Sequence, residues 1–395
     1  MITTPVKLRL AERMSRLGTE SAFEVLVRAR ELEARGQEII HLEIGEPDFP
    51  TAPHIVQAAV RALGEGWTHY GPPAGLPPLR EAIAQEVAKR RGIRVDPAEV
   101  VVTPGAKPIM FFVILALIER DDEVLYPNPG FPIYDSMIQF VRGRPVAYSL
   151  PEKFDFGLDV HEILSKINER TRLLILNSPH NPTGGVLTRS QLAALAESLA
   201  GRDIFVLSDE IYSRLIFEGE HVSLAQFPGM RERTIILDGF SKAYAMTGWR
   251  LGYGVMRRDL AQQVALLMTN SNSCTASFTQ VAGVEALRGD QTPLVRMVEE
   301  FRRRRQVMVD GLNAISGFRC RMPHGAFYAF PNITGSGRKS RQLAEALLAE
   351  AGVACLAGTA FGNWGEGYLR FSYANSVENI RKALAKIGDW AKKNL

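Results

Sequence analysis

The sequence predicts an α/β protein: a mostly parallel sheet with helices on both faces, followed by a smaller α/β domain. Three observations lead there. Short runs of β-branched and apolar residues recur between residues 100 and 255, with helical segments between several of them. The runs are apolar along their whole length, as strands covered on both faces must be. Near Thr292 the rhythm changes to a long charged helix followed by shorter strands and helices, and 395 residues exceed what one core usually holds. The expected division is residues 1–45 as an arm and helix packed with the small domain, 46–290 as the large domain and 291–395 as the small domain.

In the arm, Val25, Leu26, Ala29 and Leu32 recur at helical spacing within Phe23 to Arg35, and Gly36 supplies a stop. Glu38 to Ile44 reads as a strand that runs into the turn-rich Gly45-Glu46-Pro47-Asp48-Phe49-Pro50. Ile55 to Leu63 is a short amphipathic helix, and a second helix runs from Pro78 through Leu79, Ile83 and Val87 to Gly92. Val100 to Val102 form a strand, Thr103 to Lys107 a loop, and Pro108 to Ile118 a buried helix. Further strands are expected at Glu123 to Tyr126, Val146 to Leu150, Leu173 to Asn177, Ile204 to Ser208, Thr234 to Leu237 and Gly252 to Val255. Helices are expected from Pro132, at Ser190 to Leu199 and at Leu260 to Met268. The small domain opens with a helix from Leu294 to Leu312, and residues 318–330 alternate well enough for two strands. Ser340 to Glu350 is a helix, Val353 to Leu356 and Tyr368 to Ser372 are strands, and Val377 to Asn394 is the last helix. Lys386, Lys392 and Lys393 near its end suit the negative pole of the helix dipole.

Composition excludes several classes. With 46% hydrophobic and 23% charged residues, the chain is neither disordered, collagen-like nor a coiled coil. The 47 Lys and Arg against 43 Asp and Glu leave a charge of only +4, too small an excess to suggest nucleic acid. Arg302 to Arg305 are consecutive, so they spread around a helix and are expected to be solvated or paired with Glu299 and Glu300. Cys274, Cys320 and Cys355 match neither a disulfide framework nor a zinc pattern, and the histidines offer no metal site. A reducing, cytoplasmic setting is expected. Charges through the first thirty residues interrupt any secretory core, and the longest apolar run, Pro108 to Ile118, spans about half a bilayer, so no membrane partner is expected.

The chemistry concentrates at strand ends. Lys242 follows the strand ending at Leu237 and precedes Met246-Thr247-Gly248-Trp249-Arg250. A lysine in a largely apolar neighbourhood has a depressed pKa and can form an imine with a carbonyl. The strand Ile204 to Ser208 ends in Asp209 and Glu210, followed by Ile211 and Tyr212. A carboxylate there reaches the crevice where sheets of this kind bind ligands. Asn177-Ser178-Pro179-His180-Asn181-Pro182-Thr183-Gly184-Gly185 leaves its strand as a rigid loop that fixes Asn181, with His180 shaping the loop. Gly105-Ala106-Lys107 precedes a helix whose first amides can cradle a phosphate.

Together these segments resemble the fold-type-I pyridoxal-phosphate aminotransferases, in the class I/II family that includes bacterial aspartate aminotransferases. The likeness runs from about residue 20 to the C-terminus and is strongest over Ser241-Lys242 and Met246 to Arg250. It implies a large domain with a mostly parallel seven-stranded sheet and a smaller α/β domain. It also implies pyridoxal 5′-phosphate as cofactor and transamination between an amino acid and a 2-oxo acid such as 2-oxoglutarate. Lys242 would hold the cofactor covalently and shuttle the substrate α-proton. Asp209 would pair with the pyridine nitrogen, and Asn181 and Tyr212 would bond its phenolic oxygen. Arg250, Ser241 and the amides of Gly105 and Ala106 would hold the phosphate, and Phe131 would stack on the ring. Arg370 would grip the substrate carboxylate beside Gly45, while Tyr70 would reach the neighbouring subunit's phosphate, so a homodimer with shared sites is implied. Lys107 stands in a turn where some aspartate enzymes of this subgroup carry a lysine near the substrate's distal carboxylate, and it is also a candidate for the cofactor loop. Departures leave the donor open. Phe131 replaces the tryptophan frequent in aspartate-selective relatives, Pro108 follows Lys107, and Gly239 stands where many relatives have serine. An aspartate-type enzyme with a broad donor range is expected; aromatic, alanine or branched-chain transamination, or a carbon–sulfur β-lyase, are the alternatives.

Overall fold

The computed structural model describes residues 7–395. Helix α1 (Ser21–Ala34) leads to the short strand β1 (Ile40–His41), and α2 (Pro53–Gly64) and α3 (Pro77–Arg91) lead to β2 (Val100–Thr103). The chain then alternates through α4 (Lys107–Leu117), β3 (Glu123–Asn128), α5 (Ile133–Phe140), β4 (Arg144–Ser149), α6 (Val160–Lys166), β5 (Thr171–Asn177), α7 (Arg189–Leu199) and β6 (Phe205–Asp209). Strands β7 (Thr234–Gly239) and β8 (Gly252–Val255) are followed by α8 (Arg258–Ser271), α9 (Ser277–Arg288) and α10 (Thr292–Asn313). The last part holds β9 (Tyr328–Ala329), α11 (Ser340–Ala351), β10 (Val353–Ala354), β11 (Leu356–Ala357), β12 (Leu369–Ser372) and α12 (Val377–Asn394).

Seven strands form the large sheet in the order β2-β8-β7-β6-β5-β3-β4. Only β8 runs against its neighbours; the pairs β3–β4, β3–β5, β5–β6 and β6–β7 are parallel. The strand interiors are buried from end to end because separate apolar layers cover the two faces. Ile109, Val113, Met137 and Val264 belong to one layer, with Leu173 and Leu207 facing them; Leu192, Leu195 and Ile163 belong to another, with Leu174 and Val206 facing them. Alternate residues of β5 and β6 thus enter opposite layers, as a period of two requires. Because the parallel strands share a direction, their carboxyl ends meet at one edge, where Asn177, Asp209 and Gly239 stand.

The smaller α/β part contains the antiparallel β11-β12-β9 sheet and the parallel pair β1–β10, with α10, α11 and α12 packed around them. The arm divides its contacts. Residues of α1 pack on the small part, where Ala29 and Ile39 share a core with Leu348 and Ala354. Residues 12–18 lie instead on α5: Arg16 Nε donates to Gln139 O at 3.0 Å, and the Gly18 amide to Ser136 Oγ at 2.8 Å.

Three expected elements differ from the observed ones. The strand Glu38 to Ile44 is paired only at Ile40–His41, because its partner β10 is just two residues long. The strand Val353 to Leu356 breaks at Cys355, its first half pairing with β1 and its second with β12. Residues 318–330 make no hairpin. The amides of His324 and Gly325 donate to Gly184 O and the carbonyl of His324 accepts from Phe217, so the segment is shared between two loops, and only Tyr328–Ala329 joins a sheet. The arginine run follows its spacing in part: Arg302 pairs with Glu299, and Arg303 and Arg304 with Glu300, but Arg304 is also buried against Asp48, and Arg305 is buried and pairs with Glu218 instead. No helix among the described residues is long and apolar enough to cross a membrane.

Candidate active site

A cavity of about 480 Å³ opens at the carboxyl ends of β5, β6 and β7 and is roofed by the start of α1. Asp209, the last residue of β6, forms part of its floor and is buried. Burial pushes its carboxyl up to about 6, with the nearby charges of Asp238 and Glu210 adding to the rise. Tyr134 Oη donates to Asp209 Oδ2 at 2.5 Å, and the Ile211 amide donates to Oδ1 at 3.2 Å, both favouring the ionised form.

Lys242 stands on the short segment between β7 and β8. Burial lowers its amine to about 8, so about a tenth is neutral at pH 7, far more than for an exposed lysine. Its Nζ donates to Gly45 O at 2.5 Å. A Cβ on Gly45 would lie 2.2 Å from Tyr328 Oη, which is why glycine stands here. Tyr328 Oη in turn lies 2.6 Å from Tyr212 Oη.

One rim of the cavity gathers a helix N-terminus, a hydroxyl and an arginine. Helix α4 begins at Lys107 with Pro108 in its first turn, a position where proline is preorganised and its missing N–H costs nothing. Its positive end faces Ser241 and Arg250 across the cavity. The loop around Arg250 is strained, with φ of 49° at Ala245 and 52° at Arg250. Its guanidinium is held by Nη1–H to Thr247 O at 2.7 Å. A Cβ on Gly105, whose φ is +87°, would lie 2.2 Å from Arg250 Nη2. Gly239 is constrained too, since a Cβ would meet Gly252 Cα at 3.0 Å.

At the opposite end Arg370, central in β12, is buried with its guanidinium over the rings of Tyr328 (4.5 Å) and Phe361 (4.9 Å). Its Nη1 donates to Asn181 Oδ1 at 3.1 Å and its Nη2 to Glu43 O, while Nε has no partner. Asn181 is fixed through its own amide, which donates to Asn177 Oδ1 at 2.9 Å. His180 bonds Thr183 Oγ1 at 2.8 Å within the same loop, and burial lowers its imidazole to about 3, keeping it neutral.

The structure brings Gly45, Ala106, Lys107, Phe131, Asn181, Asp209, Tyr212, Ser241, Lys242, Arg250 and Arg370 onto one cavity, with Gly105 directly behind Arg250. Tyr70 is not among them: it is 88% exposed on the loop between α2 and α3. Sequence reasoning missed Tyr134, Tyr328, Asn177 and Glu20, all of which line the cavity. Asn177 had a signal, as the polar end of an apolar strand; the other three are brought in by contacts between distant segments.

This architecture, a seven-stranded mixed sheet carrying a half-buried lysine and a buried carboxylate at its carboxyl edge, defines a pyridoxal-phosphate-dependent transferase of fold type I. Residues 37–387 match the family of class I and II aminotransferases, and the chain belongs to it. Aspartate aminotransferase of Pyrococcus horikoshii is 39% identical over 384 residues, covering 96% of this chain and 97% of that one. Among solved structures, aspartate aminotransferase from Thermus thermophilus with maleate superposes with a TM-score of 0.93 at 36% identity, covering 97% of this chain and 100% of that one. Aromatic aminotransferase from Pyrococcus horikoshii gives 0.88 at 39% identity, covering 93% and 99%. The protein is a pyridoxal-phosphate-dependent aminotransferase that exchanges an amino group between an amino acid and a 2-oxo acid.

Proposed function

We propose that this aminotransferase takes aspartate or glutamate together with at least one neutral amino acid, uses 2-oxoglutarate as acceptor, and works as a homodimer. The observation that carries the reading is one cavity with a cation at each end, Arg370 inside and Lys107 at the mouth, and an apolar ring, Phe131, between the polar groups. A buried arginine with a free Nε suits the carboxylate common to all these substrates, and Lys107 suits a second one. Phe131 offers no hydrogen-bond donor and leaves room for a neutral side chain.

The residues present fit the cofactor. Gly105 leaves Arg250 the space that a Cβ would fill, so Arg250 with Ser241 and the amides of Gly105 and Ala106, ahead of α4, would hold the phosphate. Asp209, whose carboxyl is raised by burial, would take a cationic ring nitrogen as the counter-charge it lacks, and Phe131 would cover the ring face. Asn181 and Tyr212 would bond the phenolic oxygen. Bound pyridoxal 5′-phosphate supplies the aldehyde that carries the amino group and the electron sink that acidifies the substrate α-carbon. Lys242 would hold it covalently at rest; once displaced, its amine, which burial lowers to about 8 and so nearer to working pH, would take the α-proton in its neutral form and return one. Arg370 would grip the substrate carboxylate within the cavity that Lys242 also lines. Tyr70, exposed on one chain, would complete the phosphate site of a second copy.

The test is a screen of twenty amino donors with 2-oxoglutarate, reading glutamate formation or, for glutamate itself, the reverse reaction, with light scattering at assay concentration. Turnover of aspartate plus a neutral donor by a dimer is expected. Pyruvate and ammonia released without an oxo-acid acceptor, or a fully active monomer, would overturn the corresponding part of the reading.

A further inference from the structure

Glu20 and Lys107 each stand at a helix N-terminus, and neither serves the helix it begins. Lys107 is the first residue of α4, where a cation opposes the helix dipole. Glu20 is the N-cap of α1, yet its side chain makes no capping bond. The carboxylate turns away from amides that would welcome it and pairs with Lys107 Nζ, in a helix far along the chain. Both line the cavity: Glu20 is 19% exposed, Lys107 is 48% exposed, and Nζ lies 5.3 Å from the Phe131 ring centroid. Glu20 also faces inward electrostatically, since its charge acts on both Lys242 and Arg370.

We infer that Glu20 is a specificity-determining residue: its carboxylate occupies, from within the chain, the place at Lys107 that a substrate's second carboxylate would take. An acidic substrate must break the Glu20–Lys107 pair before it gains the lysine, whereas a neutral substrate leaves the pair intact and finds the cavity mouth electrically balanced. Glu20 therefore lowers the preference for dicarboxylates and widens the donor range. The pair also ties the start of α1 to the large sheet's helix, so the same displacement loosens the roof over the cavity.

This inference rests on the transamination reading above, and the experiment separates the two. The holoenzyme, its Glu20→Gln and Glu20→Asp variants, and the Glu20→Gln/Lys107→Met double variant are titrated with succinate and with butyrate, following the absorbance of the bound cofactor. Aspartate and the best neutral donor are then compared by kcat/KM. Glu20→Gln is expected to shift the succinate-to-butyrate affinity ratio about tenfold or more toward succinate, with a parallel shift toward aspartate, a change of at least about 1.4 kcal/mol. Glu20→Asp, charged but too short to span the gap, should shift the ratios in the same direction by less, and Lys107→Met in the double variant should abolish the gain. Equal changes for both ligands, no change, or a gain that survives loss of Lys107 would overturn the inference while leaving transamination intact. An unmutated holoenzyme that binds both acids but transfers no amino group would instead overturn the functional reading.

Discussion

Replacing Gly105 by alanine tests the anion cradle, and its effect divides into two measurable parts. The backbone at Gly105 has φ of +87°, so an alanine there is strained by about 1–2 kcal/mol whether or not cofactor is bound. The new methyl carbon would also lie 2.2 Å from Arg250 Nη2 and 2.9 Å from Cζ, so the guanidinium must leave the position it now holds. A hydrogen bond to a charged group contributes about 1.5–3 kcal/mol. Cofactor affinity should therefore fall by roughly 10- to 150-fold, at about 1.4 kcal/mol per factor of ten. Gly36 supplies the control: its φ is also +87°, but a Cβ there meets nothing within 4 Å. Gly36→Ala should lower the melting temperature of the apo-protein much as Gly105→Ala does and leave cofactor binding untouched. The assay is titration of the apo-protein with pyridoxal phosphate, paired with thermal melting of both variants. A Gly105→Ala protein that binds pyridoxal phosphate as tightly as the unmutated chain would refute the cradle.

Three further outcomes are expected. Lys242→Ala should fold and lose nearly all transamination, and borohydride reduction followed by mass spectrometry should find cofactor on Lys242 of the unmutated protein and on no lysine of the variant. Asp209→Asn should slow α-proton removal by several powers of ten in single-turnover measurements. In the apo-protein the same change should stabilise. The folded carboxyl at about 6 lies above its ordinary value of 3.8, so stability falls as pH rises from 3.8 through 6; the variant should match the parent near pH 3 and exceed it by up to about 3 kcal/mol at pH 8 in urea unfolding. Arg91→Met should cost about 3–5 kcal/mol in the same measurement, because it leaves Glu210 and Asp238, bonded to Arg91 at 2.9 and 2.6 Å, buried without their cation.

The large sheet was legible because its strands carry the information locally: continuous apolar runs such as Leu173 to Leu176 and Thr234 to Leu237 admit little else. The residues at their carboxyl ends were legible for the same reason, since a polar residue closing an apolar strand has few other uses. Residues 318–330 misled because their alternating pattern reflects burial between α10 and two loops, while the backbone bonds of His324 to Ala326 go to Gly184, Leu215 and Phe217, which no local pattern announces. Tyr134 and Tyr328 were invisible in a related way. As a buried tyrosine on a helix and another on a strand, each reads as core, and only the sheet order sets their hydroxyls against Asp209 and Tyr212. Glu20 reads as one charge among many in the arm until α4 is placed beside it.

The pairing of β1 with β10 has a consequence for how the molecule is made. What this chain contributes to the rim of the cavity from Gly105 through Arg250 has been synthesised once β8 is complete. The segment Ile39 to Leu42 has no sheet to join until residues 353–354, about three hundred residues further along the chain, have been made, and Glu43 cannot receive Arg370 until later still. The two ends of one active site are thus separated in time as well as in space, and until residues 353–354 are made the apolar stretch Ile39 to Leu42 waits unpaired. Pairing so distant in sequence closes slowly, which makes that interval the part of the protein's life in which it is most exposed to association with other chains.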